Sequence, residues 1–183
     1  MLIYTPPNRI LCTGMEVIFD EYKMRELPPP VRLTELEKTL RFEENEAKRW
    51  PCVFLLGELT ELQYAPDKTV LQRIADQLEW TLLFDKSPIV AHEGAFQIGL
   101  RNFVDKRQTL IDVSLNNKFH DITRHESIEA LGAQRAYECL PMIIGLENDE
   151  SEGPAVRDTA RFVRMRLELL IAAGSPPYKG DVV

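Results

Sequence analysis

Apolar residues recur at spacings of three and four, the period of an amphipathic helix, over almost the whole chain after residue 30. Thr34 followed by Glu37 has the form of a capping box, and Leu33, Leu36, Leu40 and Phe42 fall on one side of a helix expected to run to about Ala47. Trp50-Pro51 predicts the start of a second helix, because proline is tolerated in a first turn; Val53, Phe54, Leu55 and Leu56 are its core positions, ending near Leu59. Val70, Leu71, Ile74, Leu78 and Leu82 predict a helix over residues 69–83, and further starts are expected near Ile89, Lys106, Ile122, Ala136 and Pro154. The last segment, residues 156–173, stops at Gly174-Ser175-Pro176-Pro177. These elements make about eight helices in four pairs.

Ahead of them, Pro6-Pro7 and Pro28-Pro29-Pro30 bracket residues 9–27, whose Ile10, Leu11, Met15, Val17, Ile18 and Phe19 fit a strand or a short helix. The triple proline cannot continue a helix and marks a boundary. The chain thus divides into an N-terminal arm (1–30), a helix-pair domain (31–174) and a C-terminal tail (175–183). Gly57, Gly99 and Gly132 sit at one place in successive second helices, each after Leu or Ile. The register repeats every 33 residues, most clearly between 92 and 158. Helix pairs of this length stack into a solenoid, each burying its apolar face on the next. The Thr-Pro-Leu-His of ankyrin repeats and the Trp-Leu-Gly-Tyr of tetratricopeptide repeats are absent, so the expected fold is all-α, a HEAT-like helix-pair solenoid of about four repeats with an N-terminal arm.

Composition adds limits. A net charge of −7 argues against nucleic acid, whose backbone must be neutralised by Lys and Arg. It fits a cytoplasmic protein kept soluble by self-repulsion. Cys12, Cys52 and Cys139 are odd in number without CxxC spacing, which fits a reducing compartment. The opening Met-Leu-Ile-Tyr-Thr-Pro-Pro has no basic stretch followed by an apolar one, so no signal peptide is expected. No apolar run approaches 18 residues, so no membrane span is expected either.

The candidate chemistry lies in a repeated dipeptide. The segment from Ile89 reads Ile-Val-Ala-His-Glu-Gly-Ala-Phe-Gln-Ile-Gly, and that from Ile122 reads Ile-Thr-Arg-His-Glu-Ser-Ile-Glu-Ala-Leu-Gly. They share Ile, His-Glu, two apolar positions and Gly without a gap, and they hold two of the three histidines. His92-Glu93 and His125-Glu126 are expected in the first turns of second helices, which stacking sets side by side, roughly 10 Å apart. Neighbouring helix positions point about 100° apart, so His and Glu share a surface only at a groove or a helix end. Two imidazoles and two carboxylates without thiolate suit iron or manganese better than structural zinc. The His-Glu-x-x-His of zinc proteases is absent.

These two segments resemble the metal-binding repeats of deoxyhypusine hydroxylase, whose second motif also reads Arg-His-Glu followed by Glu-Ala-Leu-Gly-Ala. The resemblance covers about residues 33–173 and is strong from 86 to 146. It implies HEAT-like helix pairs, a non-haem di-iron centre that activates O2, and hydroxylation of a modified lysine side chain on a translation factor. Residue by residue, His92, Glu93, His125 and Glu126 match the iron ligands. The chain resembles one half of the family enzyme, with two His-Glu motifs where that enzyme has four. At the flanking positions stand Trp50-Pro51 and Arg157-Asp158.

A twofold homodimer would restore four motifs, with two Fe ions per dimer, O2 as co-substrate, and an amine-bearing small molecule or protein side chain as substrate. Two other readings stand beside it: a metal-free HEAT-repeat interaction scaffold, and a divalent-metal hydrolase using the same ligands. His120 is expected in a loop, the acidic run 147–152 on solvated surface, Trp50 and Trp80 in core or interface, and Met142, Ile143, Ile144 and Leu146 in the core.

Overall fold

The computed structural model describes residues 19–61 and 67–178. Among them are nine α-helices and no strand. Most of the expected arm lies outside the described residues; its final part forms α1 (Glu21–Glu26), whose Arg25 grips Glu58 at 2.7 Å. Four helix pairs follow: α2 (Pro29–Phe42) with α3 (Glu46–Glu58), α4 (Lys68–Phe84) with α5 (Pro88–Leu100), α6 (Arg107–Leu115) with α7 (Asp121–Ala133), and α8 (Leu140–Asn148) with α9 (Pro154–Ala172). The second helices α3, α5, α7 and α9 pack side by side as an inner layer, and α2, α4, α6 and α8 back them. This is the expected HEAT-like helix-pair solenoid.

The 33-residue period is exact in the backbone from α5 onward. Helices α5 and α7 each span 13 residues, and the short 3-10 turns at Val104–Lys106 and Tyr137–Cys139 precede α6 and α8 at the same offset. Asn102 and Arg135, again 33 apart, both adopt positive φ (56° and 50°), and so turn the chain sharply after α5 and α7. The repeated glycines bring the inner helices together. A Cβ on Gly99 would lie 2.7 Å from the Ala130 backbone, and one on Gly132 would lie 2.7 Å from Val163. A Cβ on Gly57 would collide with the Gln97 side chain. Each glycine is therefore where one inner helix rests on the next.

Helix boundaries depart from the sequence reading in physically informative ways. Thr34 is no cap: α2 begins at Pro29, where proline's fixed φ suits a first turn, and the Thr34 hydroxyl donates back to the Pro30 carbonyl at 3.1 Å. Helix α2 also ends at Phe42, which is exposed, and not near Ala47. Helix α3 starts at Glu46, capped by the Asn45 side chain accepting from the Ala47 N–H at 3.0 Å. Pro51 thus lies in its second turn, where it cannot donate to the Ala47 carbonyl. The core runs through Leu36, Leu55, Leu56, Ile74, Leu78, Leu82, Ile98, Leu110, Val113, Ile128, Ile143 and Val163, all essentially inaccessible to solvent. Phe54 and Ile144, expected inside, are exposed. Burial holds the thiols of Cys52 and Cys139 up at about 12 and about 11, so neither is a thiolate at neutral pH. No helix among the described residues is long and apolar enough to cross a membrane.

Candidate metal centre

His92 is the fifth residue of α5 and His125 the fifth residue of α7, so both stand in a second turn and not the expected first. Because the glycine contact draws α5 against α7, the two imidazoles meet with ring centroids 5.5 Å apart and planes inclined by 29°. Glu126 reaches between them. Its Oε2 lies 3.1 Å from His92 Nε2 and 3.7 Å from His125 Nε2. One ligand atom from each of His92, His125 and Glu126 falls within 4.8 Å of the others. Glu126 is 7% exposed, whereas both histidine side chains are about one quarter open to solvent, so the cluster faces outward from a closed floor.

Glu93, grouped with these three by the sequence, points elsewhere. Its carboxylate accepts from the buried Gln97 amide at 3.0 Å, one turn along α5. The asymmetry follows from helix position: α5 and α7 face each other along one seam, which places Glu126 on the seam between the histidines and Glu93 on the opposite flank of α5, toward α3.

Thr159 on α9, not singled out by the sequence, sits 3.2 Å from His125 Nδ1. The tautomer that donates from Nδ1 to Thr159 leaves the Nε2 lone pair facing Glu126. Glu129 is a third carboxylate nearby, with Oε1 4.0 Å from His125 Nδ1. It lies one turn after His125, a spacing that the sequence contained but that gained meaning only with the fold. The hydrogen bond that His92 donates to Glu126 holds the imidazole above its ordinary value against the opposing effect of burial, with the charges of Glu126, Glu93 and Glu129 adding to it.

The remaining singled-out residues take structural roles. His120 is the N-cap of α7, its Nδ1 accepting from the Ile122 N–H at 3.1 Å. The acidic run is only partly solvated: Glu147 pairs with Arg164 at 2.6 Å, and Glu152 closes a paired ion bridge on buried Arg124. Trp80 lies under the Arg41 guanidinium. Two imidazoles and a carboxylate with no thiolate form a donor set suited to a first-row divalent metal of the iron kind. The residues present fit such an ion, with open positions beside the three protein ligands.

No family model matches the chain. It is 31% identical to deoxyhypusine hydroxylase of Emericella nidulans over 118 residues, covering 63% of this chain and 34% of that protein. It is 28% identical to the Saccharomyces cerevisiae deoxyhypusine hydroxylase over 123 residues, covering 66% of this chain and 37% of that one. The chain spans about a third of the length of the curated relatives it matches. The structure of human deoxyhypusine hydroxylase in complex with glycerol superposes with a TM-score of 0.65 at 23% identity, over 84% of this chain and 49% of that one. By sequence and by fold, the chain is deoxyhypusine hydroxylase-like.

Proposed function

We propose that this chain is a metal-dependent hydroxylase acting on an amine-bearing substrate, a small molecule or a modified protein side chain such as the deoxyhypusine for which its relatives are named. The observation that carries the proposal is the convergence of His92, His125 and Glu126 at one point of the inner layer. These three residues would hold iron, with Glu93 joining them on rotation away from Gln97. Two protomers related by a twofold axis would bring two ions and four His-Glu pairs into one dimer. Iron, when bound, would supply activation of O2, one oxygen atom entering a substrate C–H bond and the other leaving as water with two electrons and two protons from an external reductant.

The chain's own residues prepare that chemistry. Thr159 would accept from His125 Nδ1 and leave Nε2 free for a metal, and Glu126 sets its Oε2 toward the two Nε2 atoms. Glu129 and exposed Asp158, in the inner-layer rows beside the histidines, give this face a negative character that favours an ammonium group. The partly buried Phe96, one turn beyond His92, offers an apolar wall for the alkyl stem. A metal-free interaction scaffold is less well supported, since the relatives are named as hydroxylases.

Metal content after anaerobic loading with ferrous ion tests the reading. About one iron per chain is expected in the wild type, with loss in His125→Ala and Glu126→Ala at unchanged helical content. A wild-type protein that takes up no ferrous ion would overturn it.

A further inference from the structure

The inner face carries more apolar surface than metal chemistry uses. In the repeat register Trp50, His92, His125 and Asp158 form one row across α3, α5, α7 and α9, and Phe54, Phe96, Glu129 and Phe162 form the next. The last three members of each row are 33 residues apart; the step from α3 to α5 is 42. Phe54 is 41% exposed and Phe162 57%, and Trp50, Ile89 and Leu100 are each about half exposed. The histidines thus occupy the two middle helices, and the exposed aromatic residues Trp50, Phe54 and Phe162 the two outer ones.

This arrangement is self-complementary. A twofold axis lying in the face and parallel to the inner helices sets α3 over α9 of the partner and α5 over α7. Phe54 then meets the partner's Phe162, Ile89 meets the partner's Ile122, and His92 comes opposite the partner's His125. An axis running across the helices would instead set each helix on its own copy and separate Phe54 from the partner's Phe162. Four helices about 20 Å long and about 10 Å apart present on the order of 800 Å². That is roughly what each partner contributes to a standard stable interface.

We propose that two copies of this chain associate through this face, with α3 of each protomer over α9 of the other and Phe54 against the partner's Phe162. The inference rests on the reading above only where that reading calls for a twofold dimer; its geometry comes from the row pattern.

A charge exchange tests it, read as mass in solution by sedimentation. The wild type should run at twice the chain mass of 21.1 kDa. Phe54→Glu and Phe162→Lys should each weaken the dimer about tenfold or more. Both side chains are exposed, so the fold is expected to persist, and circular dichroism checks it. The double variant F54E/F162K, which places Glu opposite the partner's Lys twice, should dimerise more tightly than either single variant. A monomeric wild type, single variants that remain fully dimeric, or a double variant no tighter than the singles would each overturn the proposal. Iron content on the same samples keeps the two readings apart. A dimer without metal sinks the metal site and leaves the interface, whereas a metal-loaded monomer does the reverse.

Discussion

At His92, proton and metal compete for one nitrogen. The hydrogen bond donated to Glu126 raises its titration above the ordinary 6.5 in the folded chain. The protonated pair therefore stabilises the metal-free protein fully below the unfolded value, and this contribution is lost as pH rises through the folded one. Metal must displace that proton, so ferrous affinity is expected to strengthen as pH rises across the His92 titration, with proton release visible when calorimetry is repeated in buffers of different ionisation enthalpy. Glu126→Gln should lower the His92 titration, read from its ring proton shifts; an unmoved titration would contradict the assigned bond. The glycines give a second residue-level contrast. Gly99→Ala drives a methyl into the Ala130 backbone, and overpacking of this kind costs about 1–3 kcal/mol. Gly145→Ala, in α8, meets nothing within 4 Å and removes a poor helix former, so it should stabilise by about 0.5–1 kcal/mol. Paired thermal melts of the two variants should move in opposite directions.

At the scale of elements, buried ion pairs fasten two inner helices, α3 and α7, to the loop that opens the next. Arg49 on α3 grips Asp85 ahead of α5 with two bonds of 2.8 Å, the pair being 3% and 2% exposed. Arg124 on α7 grips Glu152 ahead of α9 in the same way. The two arginines hold one repeat position, each directly before the inner-row residue Trp50 or His125. Both also donate to main-chain carbonyls, Arg49 to Glu43 and Glu44 and Arg124 to Ser114, so the guanidinium hydrogens are largely used. Lys106 ties the turn before α6 to α4: burial disfavours its charge, but Asp76 and Glu79 more than offset this and push it up to about 12. Removing one member of a buried pair strands the other. Asp85→Ala is therefore expected to cost about 3–5 kcal/mol in urea unfolding, while Lys86→Ala, at an exposed pair with Glu44, should stay within about 1 kcal/mol.

For the whole molecule, the inner layer is one row of four helices whose stability is built from contacts between neighbours. A metal bridging α5 and α7 joins the two central members of that row. Ferrous ion at about 100 times its dissociation constant should add about 2.7 kcal/mol to unfolding. The gain should vanish in His125→Ala, and an equal shift in that variant would place the metal elsewhere. At the N-terminal end, Glu58 works against its burial but is held below the usual carboxylate range by Arg25 and Arg32. A depressed carboxylate contributes stability above its unfolded value and loses it as pH falls through the folded one. The docking of α1 on α3 is thus expected to loosen in acid before the central repeats do, which hydrogen exchange at low pH would reveal.

The local pattern of the chain determined the helix pairs, the repeat period, the glycine register and the pairing of two His-Glu motifs, because periodicity and motif spacing are properties of neighbours along the chain. Helix starts at Pro29 and Glu46 were misread because proline and threonine tolerate several helix positions, and packing chose among them. The tertiary structure alone decided that Glu126 and not Glu93 stands between the histidines, that Thr159 supports His125, and that part of the acidic run pairs inward. Each of these depends on which flank of a helix meets its neighbour. That is fixed by how closely Gly99 and Gly132 let the helices approach, a distance between repeats that no spacing along the chain encodes.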